Sequence, residues 1–558
     1  MPSVVLSQLP IPRQNFGRRT GSVPLGAACL KQAVQDLPAV QVQILPQLLA
    51  AHLGDAALLN CLQERPAEIY GFTVFSWNLA RSLYFCEKLK QLRDCRTLLG
   101  GPEITPDNPL ARSAFVDFYV YGEGEAVFRK LMQDPAAWPA GSAAESAAEW
   151  FQAAGSPYLA GLLDPQIENL MLLETQRGCP YRCGFCFYNK SREGLAFAEE
   201  GLLLKAVEWA VQRRVPEIYL LDPSLNARPR LKALLAKIAR LNADGGTRLF
   251  SEIRAEAVDD ELADLLAAAG FDWFEIGLQS TNPKALALMN RPTRLKRFVA
   301  GARRLKARGI TPSIDLIIGL PGDDLPGFRR SVDFVADNGL QDDVQIFPLA
   351  VLPGTDFRRR SRGLGLRFED HPPYTITASR GFGPEDFLLA YDYAESRLDT
   401  VFFPLPDLDL SWRAGTACGP DAAADLYVKI GGRRWVAKLV LNRERPLDDI
   451  RRLAGRLTQP YQVLAWPGVG VKYLKKVLTI VTSENPFTPL EVVFFEPSEP
   501  PRTRDLLAAV RLRRPHFLDG DLRFLFARPG NRAVLFTLVS TDPRPRFQGD
   551  MERQVFWW

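Results

Sequence analysis

The sequence predicts an α/β protein of three units: a doubly wound parallel sheet, a partial barrel of βα units, and an α+β region at the carboxyl end. Three observations predict this arrangement. The chain has 558 residues, which is more than one hydrophobic core usually holds. From Val4 to about Leu352, short apolar runs alternate with helical patterns. Beyond Tyr391 the pattern changes to short β-like runs.

Residues 1–135 are predicted to form the doubly wound sheet. Its predicted strands are VVLSQL, VQVQIL, IYGFTVF, RTLLGG and DFYVYG. A turn and a candidate helix follow each strand, such as the stretch from Leu79 to Leu92. Ligands of such sheets bind at the carboxyl ends of the strands. Residues 136–165 are rich in Ala, Pro, Ser and Gly and are predicted to be a linker with one short helix.

Residues 166–390 are predicted to form a partial (β/α)6 barrel. The six strand candidates are MLLETQ, EIYLLD, LFSEIRAE, WFEIGLQS, PSIDLIIGLPG and DVQIFPLAVLPG. Between the second and third strands, Leu231, Leu234, Leu235 and Ile238 recur at helical spacing. That connection is therefore predicted to be an amphipathic helix that covers the sheet.

Residues 391–558 are predicted to form an α+β domain. The β-like runs are DLYVKI, RWVAKLVL, VLTIVT, LEVVFF, LRFLFA and AVLFTLVS. Three tryptophans of this region, Trp412, Trp435 and Trp466, either line a pocket or pack in its core. The region is expected to act as a cap over the barrel that selects the substrate.

The composition is that of a globular protein, with 47% hydrophobic and 24% charged residues. The net charge of +5 comes from scattered arginines, so no nucleic acid is expected as a partner. No segment approaches the about 18 apolar residues of a membrane span, and no signal-like stretch precedes the first strand. We therefore expect a cytoplasmic protein.

Three of the eight cysteines lie within eight positions, in the segment GCPYRCGFCFY. Cys179, Cys183 and Cys186 follow the strand MLLETQ. Three thiolates can hold a 4Fe-4S cubane while one iron keeps no protein ligand. The alternatives are a zinc site that Cys418 completes, or three structural thiols. Structural zinc usually needs a second cysteine or histidine pair, and the sequence contains no second CxxC.

The CxxxCxxC spacing after the first strand of a six-stranded barrel resembles the radical S-adenosylmethionine superfamily. The resemblance implies that the open iron binds the amino acid part of S-adenosylmethionine. It further implies that reductive cleavage yields a 5'-deoxyadenosyl radical. Phe185 matches the aromatic position that packs near the adenine in this family.

The resemblance extends to the ends of later barrel strands. It implies contacts with S-adenosylmethionine at Asp222, Glu252, Arg254, Gln279, Ser280 and Gly319. Asp222 stands where many members carry Gly-Gly-Glu to accept the ammonium group. Glu252 and Arg254 either contact the ribose or methionine groups, or form a surface ion pair.

The first unit carries GFTVFSWN, GGPE and YGEGE at the ends of its strands. Glycines there let the backbone approach a large planar ligand closely. These segments resemble the flavodoxin-like cobalamin-binding domain of the cobalamin-dependent radical S-adenosylmethionine enzymes. The contacts so implied are Thr73, Ser76, Trp77, Gly100, Gly101, Pro102, Glu103, Gly122, Glu123 and Gly124.

The loop after the first strand, IPRQNFGRRTGSVPLG, lacks the histidine of the DxHxxG motif. The lower cobalt ligand is therefore not expected to be a histidine. The alternative for this unit is a degenerate flavodoxin-like domain that binds no ligand.

The resemblance implies a methyl transfer from cobalamin to an unactivated carbon of an unknown small molecule or peptide. It also implies an electron donor such as flavodoxin or ferredoxin, and it identifies no catalytic residue. A rearrangement or cyclisation without methyl transfer is the alternative, and a cobalamin or cluster sensor is the second. Methylthiolation is disfavoured because no second cysteine triplet exists.

The remaining cysteines are assigned by their positions. Cys418 is either a buried inert thiol or a hydrogen donor or fourth ligand. Four more lie on predicted helices or strands of the first unit and are expected to pack in its core: Cys29, Cys61, Cys86 and Cys95.

Overall fold

Three parallel sheets organise the part of the chain that the structure, a computed structural model, describes. The described residues are 2–13, 19–134, 141–188, 194–402, 437–495, 502–513, 534–540 and 552–556. Trp412, Cys418 and Trp435 lie outside them.

The first sheet has six parallel strands in the order β2-β1-β3-β4-β5-β6. They are β1 (Ser3–Gln8), β2 (Gln41–Ile44), β3 (Ile69–Thr73), β4 (Arg96–Gly100), β5 (Phe118–Tyr121) and β6 (Gly141–Ala144). The helices are α1 (Leu25–Gln32), α2 (Gln47–His52), α3 (Asp55–Gln63), α4 (Leu79–Leu92), α5 (Glu125–Gln133) and α6 (Ala148–Ala153). The doubly wound prediction is confirmed, because this is the flavodoxin-like order with one added edge strand.

The added strand β6 comes from the segment that the sequence predicts to be a linker. It pairs in parallel with β5, and Phe118 lies opposite Gly141. The run GSAA lacks the branched and aromatic residues that usually mark a strand, which explains the difference. The single short helix expected in this segment is present as α6.

The second sheet is parallel, and its order is β14-β13-β12-β11-β10-β7. Its strands are β7 (Met171–Leu173), β10 (Glu217–Leu220), β11 (Arg248–Glu252), β12 (Phe271–Gln279), β13 (Thr311–Ile318) and β14 (Asp343–Pro348). Two short antiparallel pairs flank it: β8 (Gln176–Arg177) with β9 (Ala196–Phe197), and β15 (Arg367–Phe368) with β16 (Ile376–Ala378). Among the described strands, the two edge strands β14 and β7 do not pair with each other, so the sheet is open. This agrees with the predicted partial barrel.

Nine helices are described in the second unit, and the longer ones are amphipathic and cover one face of its sheet. The nine helices are α7 (Glu200–Gln212), α8 (Leu231–Leu241), α9 (Asp260–Ala269), α10 (Pro283–Leu288), α11 (Leu295–Lys306), α12 (Leu325–Asp337), α13 (Asp356–Arg359), α14 (Ser361–Leu364) and α15 (Pro384–Leu398). The predicted apolar stripe of α8 is buried. Helix α9 begins where the Asp259 carboxylate accepts a hydrogen bond from the Leu262 amide, and it ends at Gly270 with φ of 96°.

Helix α15 packs with the second unit beyond the predicted boundary at residue 390. The Tyr393 hydroxyl donates to the Asp333 carboxylate at 2.7 Å, and Arg397 forms an ion pair with the same carboxylate at 3.1 Å. Asp333 lies on α12, so the second unit includes all of α15.

The third sheet has five strands, in the order in which they occur along the chain. They are β17 (Ala437–Leu441), β18 (Tyr461–Ala465), β19 (Leu490–Phe495), β20 (Val534–Ser540) and β21 (Glu552–Phe556), with helices α16 (Leu447–Ala454), α17 (Val471–Glu484) and α18 (Thr503–Leu507). All described neighbours pair in parallel, which corrects the α+β prediction for this region to α/β. The run VLTIVT, predicted as β-like, lies inside α17.

The third sheet docks on the first unit. The Gly54 amide donates to the Leu457 carbonyl at 2.9 Å, and the Phe487 amide donates to the Asp55 carboxylate at 2.7 Å. The other oxygen of Asp55 forms a fully buried ion pair with Arg81 at 2.7 Å. These contacts place the third sheet beside α2 and α3. Its role as a cap over the barrel stays a prediction.

The described helices include none with the length and apolar character needed to cross a bilayer.

Candidate functional site

The carboxyl edges of the first and second sheets meet at Arg177. This guanidinium forms ion pairs at 2.8 Å with Glu125, which opens α5 after β5, and with Glu174, which follows β7. It also lies 3.6 Å from the carboxylate of Glu123 and 4.5 Å from the centre of the Phe151 ring. All three acids lie just beyond the carboxyl ends of β5 or β7, so Arg177 joins the YGEGE segment to the start of the cysteine loop.

A second buried contact joins the two edges at Glu103. Its carboxylate accepts hydrogen bonds from the Tyr374 hydroxyl and from the Asn108 amide, the latter at 2.8 Å. Burial raises the pKa of Glu103 to about 7. Tyr374 belongs to the second unit, so Glu103 contacts protein at this interface, and its predicted contact with cobalamin stays a prediction.

The cysteine loop follows β8 and is anchored at Gly184. The Gly184 amide donates to the Met289 carbonyl at 2.8 Å, and its carbonyl accepts from the Phe357 amide at 2.9 Å. A Cβ atom on Gly184 would lie 2.7 Å from the Phe357 ring, so glycine permits this close approach. Cys183 is buried, whereas Cys179 and Cys186 are partly exposed.

Two guanidinium groups lie against the cysteine loop. Arg291 donates to the Cys183 sulfur at 3.5 Å and to the Gly277 carbonyl. Arg254 lies 4.4 Å from the centre of the Tyr181 ring. Positive charge at this loop stabilises thiolates and the anionic cluster that they would hold. Arg291 was not predicted from the sequence, since neither its spacing nor its neighbours mark it.

The donor set of the loop fits a 4Fe-4S cluster. Burial raises the pKa of the Cys179 thiol, so its thiolate form requires a metal or a cation. The described residues contain no three His, Cys, Asp or Glu side chains that are grouped closely enough to hold one metal ion. A cubane instead places each thiolate on a different iron.

Asp222 ties the end of β10 to the start of the cysteine loop. One oxygen accepts from the amides of Thr175 and Gln176, both at 2.9 Å, and the other accepts from the Thr175 hydroxyl. Burial raises the pKa of Asp222 to about 6. Its contact with a substrate ammonium stays a prediction, since both oxygens already have partners within the protein.

Glu252 and Arg254 do not form the surface ion pair that was the alternative. Burial and then repulsion by Glu275 raise the pKa of Glu252 to about 8, and the Tyr188 hydroxyl donates to it at 3.5 Å. Arg254 instead pairs with Glu256 at 3.4 Å, and its side chain is only 11% exposed. Each group therefore has its own protein partner, and Arg254 Nη1 is left without a hydrogen bond among the described residues.

The remaining predicted contacts with S-adenosylmethionine lie on three different elements. Gln279 ends β12 with φ of 69°, and the Ser280 hydroxyl donates to Asp323 at 2.8 Å. Gly319 has φ of 87°, and a Cβ there would lie within 3.0 Å of both Ile376 and Phe387. Phe185 packs against the core of the second unit.

Several buried polar atoms near these residues have no hydrogen-bond partner among the described residues. Five of them are Gln176 Oε1, Arg254 Nη1, Gln279 Oε1, Arg291 Nε and Asp315 Oδ1. Buried polar atoms without partners are costly, so they mark places where a polar ligand or water completes the site. A zwitterion that carries a ribose, such as S-adenosylmethionine, supplies suitable donors and acceptors.

The predicted cobalamin contacts lie in three loops at the carboxyl edge of the first sheet. They are Thr73, Ser76 and Trp77 after β3, Gly100, Gly101, Pro102 and Glu103 after β4, and Gly122, Glu123 and Gly124 after β5. The first two loops interlock, because a Cβ on Gly101 (φ 116°) would lie 2.5 Å from the Val74 carbonyl oxygen. Gly122 also has a positive φ, of 73°.

Asn78 fixes the loop after β3 and was missed by the sequence analysis. Its side chain accepts from the Phe75 amide at 2.8 Å and donates to the carbonyls of Leu9 and Thr73. The ring of Trp77 stacks on Phe75, with ring centres 4.3 Å apart. A flat apolar surface of this kind fits the face of a corrin ring.

Other predicted side chains are placed as follows. All four cysteines assigned to the first core are buried: Cys29, Cys61, Cys86 and Cys95. Trp466 stacks on Phe495 in the third sheet, with ring centres 4.2 Å apart, which is a packing role.

Two acids on the inner face of the second sheet, the face opposite the covering helices, were also not predicted from the sequence. Glu275 on β12 and Asp315 on β13 lie among apolar residues. A charged residue at an inward position of an otherwise apolar strand was the signal that could have identified them.

Comparison with known proteins relates the first two units to two families. Residues 173–335 match the Radical SAM superfamily, and residues 20–132 match the B12 binding domain. The two matches fall on the second and the first sheet respectively.

Among curated proteins, the chain is 24% identical over 407 residues to the 2-(S-pantetheinyl)-carbapenam-3-carboxylate methyltransferase of Streptantibioticus cattleyicolor, over 64% of this chain and 59% of the relative. It is 24% identical over 327 residues to the cobalamin-dependent radical SAM methyltransferase TokK of Streptomyces tokunonensis, over 51% and 47%. The chain thus spans 59% and 47% of the lengths of these relatives.

Among solved structures, the fold resembles the radical S-adenosylmethionine methyltransferase TsrM of Kitasatospora setae. The TM-score is 0.55 at 17% identity, over 71% of this chain and 89% of TsrM. At this level of identity, the likeness shows the fold.

Proposed function

Because the chain belongs to the cobalamin-dependent radical S-adenosylmethionine enzymes, we propose that it transfers a methyl group from cobalamin to an unactivated carbon of its substrate. The substrate is a small molecule or a peptide of unknown identity. The cofactors are a 4Fe-4S cluster, S-adenosylmethionine and cobalamin. The two curated relatives described above are named as methyltransferases, which supports this reaction type.

The observation that carries the proposal is the meeting of the two carboxyl edges. Arg177 and Glu103 fasten the glycine loops of the first sheet to the strand ends of the second. A group bound at one edge therefore faces a group bound at the other, within one chain. Reactions between two bound groups need this placement, since proximity and exclusion of water supply much of the rate.

Cys179, Cys183 and Cys186 would hold the cluster, and Arg291 would lie beside one of its sulfur ligands. When bound, the cluster and S-adenosylmethionine supply a one-electron donor next to a sulfonium that it can cleave. Glu252 and Arg254 are proposed to contact the ribose or methionine groups of the cosubstrate, and Gln279 and Ser280 its ribose. Asp222 is proposed to lie near its ammonium group, and Phe185 and Gly319 near its adenine.

The three loops of the first sheet are proposed to bind cobalamin. Gly101 and Gly122 allow close approach of the backbone, and Trp77 offers the flat apolar surface. Asn78 keeps this loop in position through its three hydrogen bonds.

The third unit is proposed to select the substrate, in keeping with its docking beside α2 and α3. The reductant is proposed to be a flavodoxin or a ferredoxin. The protein is proposed to be cytoplasmic, because eight cysteines in 558 residues are too few for a secreted disulfide scaffold and three of them cluster within eight positions.

The cofactor assignment is tested on anaerobically reconstituted protein. The wild type should show the absorption of a 4Fe-4S cluster, and the Cys179→Ala, Cys183→Ala, Cys186→Ala triple variant should lack it. Cobalamin should co-purify with both proteins, because the triple variant leaves the first sheet intact. Zinc in place of iron at the loop would refute the assignment.

The reaction type is tested by the products. With reductant, cobalamin, S-adenosylmethionine and an accepted substrate, methyl transfer yields both S-adenosylhomocysteine and 5'-deoxyadenosine. A rearrangement or cyclisation yields 5'-deoxyadenosine alone, and a sensor yields neither product. The product ratio therefore separates the proposal from both alternatives.

A further inference from the structure

The inner face of the second sheet combines an acidic layer with an aromatic layer. Glu252 lies opposite Glu275 in the register of β11 and β12, and Gly277 lies opposite Asp315 in that of β12 and β13. Strand alternation places all three acids on the same face. Glu275 lies two residues before Gly277 on β12, so its carboxyl and that of Asp315 are diagonal neighbours on this face.

The acidic pair is buried and incompletely satisfied. Asp315 is only 6% exposed, and its Oδ1 atom has no hydrogen-bond partner in the part of the chain that the structure describes. Burial, together with the charge of Glu275, raises the pKa of Asp315. Arg291 acts in the opposite direction on Asp315 and Glu252, yet both pKa values stay raised. Among the described residues, the positive charge near Glu275 and Asp315 is therefore too small to offset their burial.

Three aromatic rings adjoin the pair on the same face. Tyr219 stacks on Phe250, with ring centres 4.5 Å apart, and Phe250 meets Trp273 edge to face at 5.8 Å. Trp273 lies two residues before Glu275 on β12, so its ring is the neighbour of that carboxyl. The Trp273 indole nitrogen donates to Asp343 at 2.7 Å, which fixes the ring.

We propose that Glu275 and Asp315 bind a protonated amine of the substrate, with Tyr219, Phe250 and Trp273 as the adjoining apolar wall. Carboxylates accept charge-assisted hydrogen bonds from an ammonium group, and the faces of aromatic rings attract the same cation. An organic ammonium suits this combination better than a metal ion, which has no use for aromatic rings. The inference rests on the proposed function, because it names the substrate class of that methyl transfer.

The test compares two probes of the same shape, n-butylammonium and n-butanol, by saturation-transfer NMR and calorimetry. The protein is the full chain reconstituted with iron and sulfide and supplied with cobalamin. The wild type should bind n-butylammonium and should not bind n-butanol measurably. The Glu275→Gln, Asp315→Asn double variant should bind n-butylammonium about tenfold more weakly or worse.

The matched control is Asp272→Asn on the same strand. Asp272 is a partly exposed acid near the amino end of β12, and it lies 3.6 Å from Arg248. Its variant should keep wild-type affinity for n-butylammonium. Because both substitutions in the double variant are isosteric, circular dichroism should show the wild-type fold. If the double variant does not fold, each single variant is compared with the wild type instead.

Three results would overturn the proposal. They are equal affinity for the two probes, equal affinity of the wild type and the double variant, and displacement of n-butylammonium by Mg²⁺ at the same residues. The measurement needs no reductant and no turnover. Failure of methyl transfer would therefore leave the binding result unchanged, and loss of this subsite would leave the cofactor spectra unchanged.

Discussion

Arg291 is the residue that connects the cysteine loop to the inner face of the second sheet. It contacts the Cys183 sulfur at 3.5 Å and the Gly277 carbonyl, and its charge reaches Glu252 and Asp315. Hydrogen bonds and positive charge at a cluster ligand raise the reduction potential of the cluster. Arg291 therefore favours the reduced state that S-adenosylmethionine cleavage needs.

The substitution Arg291→Gln should lower the potential of the reconstituted cluster by on the order of tens of millivolts. The measurement is a redox titration followed by electron paramagnetic resonance. The control is Arg213→Gln, which removes an exposed guanidinium that lies over Trp209 on α7. Equal potentials in the Arg291→Gln variant and the wild type would contradict this role.

Gly184 should not tolerate a side chain. A Cβ atom would lie 2.7 Å from the Phe357 ring, so Gly184→Ala should displace the loop at a cost of about 1–3 kcal/mol. Bound iron per chain should fall to half or less after reconstitution, as measured by a colorimetric iron assay. Gly363→Ala is the control, because a Cβ there meets nothing within 4 Å. Full iron content in Gly184→Ala would show that the loop is not held as described.

At the scale of elements, apolar runs predicted most of the first two sheets because their strands are buried. The run VVLSQL became β1, the stretch from Leu79 to Leu92 became α4, and the stripe on α8 is buried. Strand β6 was missed because GSAA carries no strand-forming residues. The run VLTIVT was predicted as a strand because it is rich in β-branched residues, which favour strands. It lies in helix α17, whose buried residues recur at helical spacing from Tyr473 onward.

The candidate site was predicted where a motif carries it, and missed where only tertiary contacts do. Cys179 was predicted from the spacing of the cysteines, and the glycine loops from their resemblance to a cobalamin-binding domain; their roles stay predictions. Arg177, Arg291 and Asn78 act through partners far away in the sequence, which no local pattern shows. Glu103 was predicted from its motif as a cobalamin contact, whereas its contact with Tyr374 depends on how the two units meet.

The ion pairs of Arg177 with Glu125 and Glu174, called here the Arg177 clamp, should contribute strongly to the stability of the contact between the first two sheets. Arg177→Met leaves Glu125 and Glu174 without their shared cation, and Glu125 is only 5% exposed. Removal of one partner from such a buried set should cost about 3–5 kcal/mol. The urea concentration at the unfolding midpoint measures this loss.

Two further variants calibrate that result. Arg177→Met with Glu125→Gln should recover part of the stability, since one unpaired charge is removed with the cation. Arg451→Met breaks an exposed pair with Asp448 and should change stability by less than about 1 kcal/mol. An unchanged midpoint in Arg177→Met would contradict the clamp.

At the scale of the whole molecule, the contact between the two units should weaken as the pH rises. Burial raises the pKa of Glu103 from 4.5 to about 7. Between these two pH values the Glu103 carboxyl is protonated in the folded chain and ionised in the unfolded chain. The free energy of unfolding therefore falls as the pH rises through this range.

The substitution Glu103→Gln should remove this dependence, because an amide accepts the same hydrogen bonds from Tyr374 and Asn108 without a charge. The variant should equal the wild type near pH 4 and exceed it at pH 8 by on the order of 2–3 kcal/mol. Thermal unfolding of the cobalamin-free chain at both pH values measures the difference. Parallel pH profiles of the two proteins would show that Glu103 does not control the interface.

The central claim is that one chain holds cobalamin and a 4Fe-4S cluster at facing sheet edges. The most direct test is electron paramagnetic resonance of protein loaded with cob(II)alamin and a reduced cluster. The two centres should broaden or split each other's signals, and the triple cysteine variant should give the cob(II)alamin signal alone and unperturbed. Two full but mutually unperturbed signals in the wild type would contradict the claim.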